Sequence, residues 1–172
     1  MPSGNIFRNL LKGYFIPMVS VIVKRDIVRQ VGDSFSTTFL LIPDLELFTN
    51  IAYKHKIKYI DKVLCQVRKH SNSLTNRNFK LFPSETKIYV NQLRNRIENF
   101  DNQYKNEIEY LNNTLQYQYS LSYWMDGNKT KAKRELKKIL RSRKKYVIVY
   151  LFMFFSYTFF EKTMKFFKIG NY

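Results

Sequence analysis

The sequence predicts an α+β fold that is mainly helical. Residues 19–23 are a short β-branched segment, which predicts a buried strand or the approach to a helix, and residues 58–60 and 63–68 are typical of strands. From Ser84 onward, apolar residues recur at helical spacing nearly to the end of the chain. The polar segment 71–78 separates these two patterns. We therefore predict a boundary near residue 80, with α/β material before it and an all-helical extension after it.

Three helices are predicted before this boundary. Residues 5–12 carry apolar side chains at helical spacing, and the glycine that follows them favours a helix end. Residues 25–31 predict a short helix that is also closed by a glycine. Pro43 opens a third helix, which reaches about His55, because proline is favoured in the first turn of a helix.

The helical extension is interrupted at Gly127. Before this glycine the apolar positions form two stripes, made of Ile88, Leu93 and Ile97 and of Ile108, Leu111, Leu115, Tyr119 and Tyr123. A further helix starts at Lys129 and continues to about Leu140. We predict three regions: residues 1–80, a helical extension over residues 81–142, and a basic, aromatic tail over residues 143–172.

Composition and charge limit the classes of function. The chain has 30 Lys and Arg residues against 13 Asp and Glu, a formal net charge of +17. This excess predicts affinity for a polyanion, which would be a nucleic acid, an anionic membrane or a phosphate-bearing substrate. The five glycines are too dispersed for a dinucleotide-binding or P-loop motif. One cysteine and two histidines exclude an internal disulfide and a structural zinc set, and no signal-peptide pattern is present, so we expect a reducing compartment.

A cationic segment is followed directly by an apolar one. Residues 129–145 contain ten basic residues and one acid, Glu135, and residues 146–160 contain only Ser156 and Thr158 as polar residues. As one helix, the apolar segment would be about 22 Å long, against about 30 Å for the hydrocarbon core of a bilayer. This length favours a helix that lies in the membrane interface. A buried core helix and a spanning helix are the alternatives, and a solvated face is the alternative for the cationic segment.

Five short motifs follow one another between residues 20 and 73. They are Ser20-Val21 with Lys24-Arg25, Val31-Gly32, P-D-L-E-L-F at 43–48, Y-I-D-K at 59–62, and V-R-K-H at 67–70 with Ser73. The series resembles the C-terminal half of the catalytic domain in family 2 glycosyltransferases, which have a GT-A fold. Members commonly read S-V-x-x-R-R, G-x-F-D-E, E-D-x-D-L-W-x-R, Y-I-D-E-x-L and Y-R-x-H-x-x-S. The resemblance covers about residues 4–75.

The sequence also departs from the pattern of this family. Pro43 replaces the first acid of the E-D pair, Phe48 and Asn50 replace the common Trp and Arg, and residues 32–37 lack the acids of G-x-F-D-E. The family's N-terminal half carries the D-x-D motif that holds the metal and the donor diphosphate, and no D-x-D occurs here. The resemblance therefore implies an incomplete glycosyltransferase that is inactive alone, as a truncation, one part of a split gene or a degenerate relative.

The resemblance also implies roles for four residues. Asp44 matches the second acid of the E-D pair and would be the catalytic base, although a helix cap is the alternative, because a helix N-terminus stabilises a carboxylate. Arg68 and His70 match the R-x-H ending that can approach the donor diphosphate. His70 would complete the ligand set of a Mn or Mg ion only if the missing half were supplied. Ser20 would line the acceptor side.

Two classes of function follow from these observations. The first is an enzyme class, in which a glycosyltransferase-related chain transfers sugar from a nucleotide sugar to a cell-surface glycan acceptor, with a separate N-terminal half as a further partner. The second is a binding class, in which a basic amphipathic protein binds an anionic membrane without catalysis. Nucleic acid is not the expected partner, because no motif for it is present. In both classes we expect a cytoplasmic protein peripheral to the inner face of the membrane.

Overall fold

The computed structural model describes residues 1–32, 37–68, 70 and 72–166, and within these residues the regular structure is helical. The only bridge between extended segments in this part of the chain is an isolated antiparallel one between Gly4 and Ile57. The chain divides into an N-terminal unit, Met1–Leu111, and a C-terminal unit, Asn112–Tyr172. The prediction of a mainly helical protein is confirmed.

Ten α-helices occur in the described residues. They are α1 (Phe7–Lys12), α2 (Arg25–Val31), α3 (Pro43–Lys54), α4 (Leu74–Arg77), α5 (Phe82–Arg96), α6 (Phe100–Gln103), α7 (Lys105–Met125), α8 (Lys129–Lys137), α9 (Lys144–Phe152) and α10 (Tyr157–Phe166). Short 3₁₀ turns lie at Met18–Ser20, Phe79–Leu81 and Leu140–Ser142. The three helices predicted before residue 80 are confirmed as α1, α2 and α3.

The predicted strands are not formed in the described residues. Met18–Ser20 is a 3₁₀ turn that includes the start of the first segment, and residues 58–60 and 63–68 have no strand partner in the described part of the chain. A β-branched composition favours extended backbone, but a strand also needs a neighbour that accepts its backbone hydrogen bonds. The strand predictions for residues 58–60 and 63–68 are therefore wrong, whereas residues 19–23 lead into α2, in agreement with the alternative of an approach to a helix. The β part of the predicted fold is not found in the described residues.

Helix α3 forms the centre of the N-terminal unit. Its residues Leu47, Phe48 and Ile51 are buried, and they pack against Tyr14, Ile16, Val21, Val23, Ile27, Val31 and Ile57. The Tyr89 hydroxyl of α5 donates a hydrogen bond of 3.0 Å to Asn50 Oδ1 of α3. These contacts join α5 to the segments before residue 80, so the predicted boundary at this position lies inside one compact unit.

Two carboxylates of this unit join segments that are distant in the sequence. Both oxygens of Glu85 accept backbone N–H groups, those of Leu40 and Leu41, at 2.9 Å each. The buried Glu107 carboxylate pairs with Arg8 at 3.0 Å and with Lys12 at 3.6 Å, which ties α1 to the start of α7. A buried charge is costly unless it is paired in this way.

The C-terminal unit has an aromatic core. Trp124 is fully buried, and its ring lies 5.1 Å from that of Phe160 and 5.3 Å from that of Tyr157. Helices α7 and α8 approach closely at Ala132, whose carbonyl accepts a 2.9 Å hydrogen bond from the buried Ser120 hydroxyl. Between them the chain turns at Gly127, which has a φ of 78° that favours glycine.

The structure of the helical extension agrees with the sequence prediction in part. The break at Gly127 and the helix that starts at Lys129 are confirmed. The predicted stripe on α5 is wrong at Ile88, which is exposed, whereas Leu93 and Ile97 are buried. The buried face of α5 instead includes Thr86, Tyr89 and Val90, and tyrosine and threonine do not stand out in a purely apolar pattern.

We expect Leu93→Ala to lower the free energy of unfolding by about 2–5 kcal/mol, because it removes buried methyl groups and leaves a cavity. Ile88→Ala is the matched control on the same helix, and it should change this value by no more than about 0.5 kcal/mol. Chemical denaturation followed by circular dichroism measures both. Equal losses for the two variants would contradict the packing described for α5.

Candidate functional site

The segment 146–160 folds as two short helices instead of one. Helix α9 ends at Phe152, and α10 begins at Tyr157. Ser156 stands between them, where its Oγ accepts the Phe159 N–H at 3.2 Å in the manner of a helix N-cap. Because each helix is only about 14–15 Å long, neither reaches across a hydrocarbon core of about 30 Å. In the part of the chain that the structure describes, no helix is long and apolar enough to cross a membrane.

Helices α9 and α10, together with the residues that connect them, have a buried side and an exposed side. Tyr146, Val149, Met153 and Phe160 are buried in the core of the C-terminal unit. Six large apolar side chains point away from this core and are 44–65% exposed: Val147, Ile148, Leu151, Phe154, Phe155 and Phe159. We call these six residues the apolar surface. Clustered exposed apolar side chains of this size are typical of binding sites.

A cationic side chain of α8 contacts the apolar surface. The Lys133 ammonium lies 3.4 Å from the centre of the Phe154 ring. The Lys131 ammonium of the same helix lies 4.0 Å from the ring centre of Tyr123, a residue of α7 that is not part of this surface. Contacts of this kind are attractive cation–π interactions. The cationic helix and the apolar surface therefore meet through direct side-chain contact.

The only acid of residues 129–145 is held by its neighbours. The Glu135 carboxylate accepts hydrogen bonds from Lys138, Arg134 and, at 2.7 Å, Gln116 Nε2. The hydrogen bond from Lys138 is the main cause that lowers the pKa of Glu135. Burial and then the neighbouring Arg143 lower the pKa of Lys145. Most cations of this segment are exposed, so the segment presents a strongly positive surface.

Asp44 is the second residue of α3, and both of its carboxylate oxygens are engaged. Oδ2 accepts a 2.9 Å hydrogen bond from the Tyr14 hydroxyl, and Oδ1 accepts the Leu45 N–H at 2.9 Å. Burial, and then the Asp44 carboxylate, raise the pKa of Tyr14 well above its ordinary value. Sequence reasoning did not find Tyr14, because it lies 30 residues before Asp44 and belongs to none of the motifs.

The other three predicted site residues lie at the surface. Ser20 is exposed, and its hydroxyl donates to the Pro17 carbonyl at 2.8 Å. Arg68 and His70 are exposed as well. Among the described residues, no hydrogen bond or ion pair joins any two of Ser20, Asp44, Arg68 and His70. The structure thus orients Asp44 but shows no contact that gathers the four into one site.

The described residues do not supply a set of ligands for a divalent cation. No group of three His, Cys, Asp or Glu side chains in this part of the chain could hold a metal ion. One imidazole, that of His70, does not make a Mn or Mg site, since these ions prefer several oxygen ligands.

Comparison with protein-family models, with curated proteins and with solved structures gave no match. Two features of the structure are therefore candidates for a functional site. One is the apolar surface in contact with Lys133 in the C-terminal unit, and the other is Asp44, oriented by Tyr14, in the N-terminal unit.

The contact between Tyr14 and Asp44 predicts a pH dependence. An unfolded tyrosine ionises near pH 10, whereas folded Tyr14 keeps its proton to higher pH. Above about pH 10 the unfolded chain therefore binds fewer protons than the folded chain, and the free energy of unfolding falls as the pH rises. We expect this fall to be shallower for Tyr14→Phe than for Tyr53→Phe, whose side chain is exposed. Denaturant titrations at several alkaline pH values measure it, and equal slopes would contradict the expectation.

Proposed function

We propose that this chain is a peripheral membrane protein whose C-terminal unit binds the anionic inner face of a membrane. The observation that carries the proposal is the apolar surface with Lys133 in direct contact with Phe154. Aromatic and aliphatic side chains would enter the interface, and the lysines would remain at the headgroups. The buried inner face of α9 and α10 would keep the unit folded while its outer face contacts lipid.

The free energies involved indicate that membrane binding needs both the apolar side chains and the neighbouring cations. Full burial of one large apolar side chain contributes about 1.5–3 kcal/mol, so six half-exposed ones would contribute on the order of 5–9 kcal/mol. Association costs are estimated at about 4–15 kcal/mol, which offsets most of this gain. Each cation near an anionic surface adds about 1 kcal/mol. Binding should therefore need anionic lipid and weaken with salt, because exposed charges are screened beyond roughly 10 Å at 0.1 M.

A second candidate function is sugar transfer, in a GT-A-type arrangement that a separate N-terminal half would complete. The resemblance over residues 4–75 and the orientation of Asp44 by Tyr14 favour it. A carboxylate oxygen can accept two hydrogen bonds, so Asp44 Oδ2 keeps one acceptor position after it bonds to Tyr14. A carboxylate so placed could take the proton of an acceptor hydroxyl. Arg68 and His70 would face the donor diphosphate, and Ser20 the acceptor.

For the membrane proposal we expect the wild-type chain to sediment with vesicles of phosphatidylcholine and phosphatidylserine at low salt. Less should sediment with phosphatidylcholine alone, or at about 0.5 M salt. The double variant Leu151→Ser, Phe154→Ser should lower the partition coefficient by about ten-fold or more, because it removes two exposed apolar side chains. Both positions are exposed, so the core is left intact.

Ile88→Ser is the matched control, because it removes a similarly exposed apolar residue of the N-terminal unit. It should sediment as the wild type does. If the wild type stays in the supernatant with anionic vesicles at low salt, the membrane proposal is wrong. Equal sedimentation of the double variant and the control would assign binding to another part of the chain.

For the transferase proposal we expect no saturable heat when the chain alone is titrated with UDP- or GDP-sugars and Mn. With a complementing half that carries a D-x-D motif, Asp44→Asn should remove nearly all of kcat and leave donor affinity close to unchanged, because a base acts in the transition state. Micromolar donor affinity of the chain alone would show a complete donor site. Full activity of the Asn variant would leave Asp44 a structural role only.

A further inference from the structure

The N-terminal unit exposes a short extended edge at residues 21–24. The backbone has β-region dihedral angles at both ends, with φ −104° and ψ 136° at Val21 and φ −64° and ψ 132° at Lys24. Val21 and Val23 pack against the buried cluster of α3, whereas Ile22 between them is 98% exposed. This alternation is that of a strand with one face on a core.

Within the residues that the structure describes, the backbone of this edge has no strand partner. Among the described residues, the N–H groups of Ile22, Val23 and Lys24 and the carbonyls of Val21, Ile22 and Val23 have no hydrogen-bond partner. An exposed strand with unpaired N–H and C=O groups is a template for a further strand. The β-branched side chains also favour the extended conformation that pairing requires.

Charge indicates the kind of strand that would pair here. Lys24 and Arg25 are exposed at the end of the edge, Arg29 is exposed on the helix that follows, and Asp26 is the only acid of residues 21–31. A second copy of the chain would bring like charges together, and its net charge of +17 would oppose association. We propose that residues 21–24 bind an acidic, extended peptide segment of a partner protein by β-strand addition.

A labelled peptide of alternating Glu and Val residues is a direct probe. Its binding to the full chain is followed by fluorescence anisotropy at low salt, and we expect it to saturate. Two comparison peptides are used, one with Lys in place of Glu and one with Pro in place of two Val residues. Each should bind at least about ten-fold more weakly than the Glu–Val peptide. The Pro peptide keeps the charge but cannot pair as a strand, so equal binding of this peptide would overturn the proposal.

Variants test the edge itself. Ile22→Pro removes a backbone N–H that has no partner in the described structure, and it should weaken binding of the Glu peptide about ten-fold while the circular dichroism spectrum stays unchanged. Val63→Pro is the matched control: Val63 is 94% exposed in a segment without helix or strand, and this variant should bind as the wild type does. Ile22→Glu keeps the N–H but places a carboxylate against the probe, so it should also weaken binding. Wild-type affinity in both Ile22 variants would overturn the proposal.

Two other occupants are distinguished by the same variants. Sedimentation equilibrium would show a dimer that Ile22→Pro abolishes if a second copy occupied the edge. Loss of vesicle binding in Ile22→Pro, without saturable binding of the Glu peptide, would assign the edge to the membrane. Either result would overturn an acidic protein segment as the partner.

Discussion

The scarcity of carboxylates is the constraint on which much of this structure depends. The chain has 13 acids against 30 cations, and three of its buried or half-buried carboxylates each hold more than one group. Glu107 pairs with Arg8 and Lys12, and Glu85 accepts two backbone N–H groups of the segment that precedes α3. Asp44 likewise accepts from a tyrosine hydroxyl and a backbone amide. The remaining cations lie largely at the surface, where water and anionic partners can solvate their charge.

Aromatic residues make up 17% of the chain, and in the C-terminal unit they serve two purposes. Trp124, Tyr146 and Phe160 supply a core for helices that are individually short. Phe154 and Phe155, which connect α9 to α10, and Phe159 of α10 are exposed. A single straight helix could bury one stripe only, but the break at Ser156 gives two helices that each bury one side. The break thus keeps the unit folded without covering all of its aromatic residues.

Sequence patterns predicted the helices well where local signals decide the structure. Pro43 marks the start of α3, and the glycine after residue 31 closes α2. The strands at residues 58–60 and 63–68 were predicted wrongly because the composition of a segment indicates only its own preference for extended backbone. Strand pairing also depends on distant segments of the chain, which this composition does not specify. The exposure of Ile88 has a similar origin, since Thr86 and Tyr89 occupy the buried face of α5. Of the candidate site, the cationic and apolar segments were visible in sequence, but the contact of Lys133 with Phe154 and that of Tyr14 with Asp44 were not.

The net charge of the chain opposes self-association through its exposed apolar side chains. Two copies that approach through Ile22 or through the apolar surface bring cations together, because Lys24 and Arg25 border the first and Lys133 contacts the second. Repulsion between copies opposes aggregation through exposed apolar residues. The same charges would attract a partner of opposite sign toward the apolar residues. The two proposed partners, anionic lipid for the C-terminal unit and an acidic strand for the N-terminal unit, therefore share one property, a negative charge that complements the cations near the exposed apolar residues.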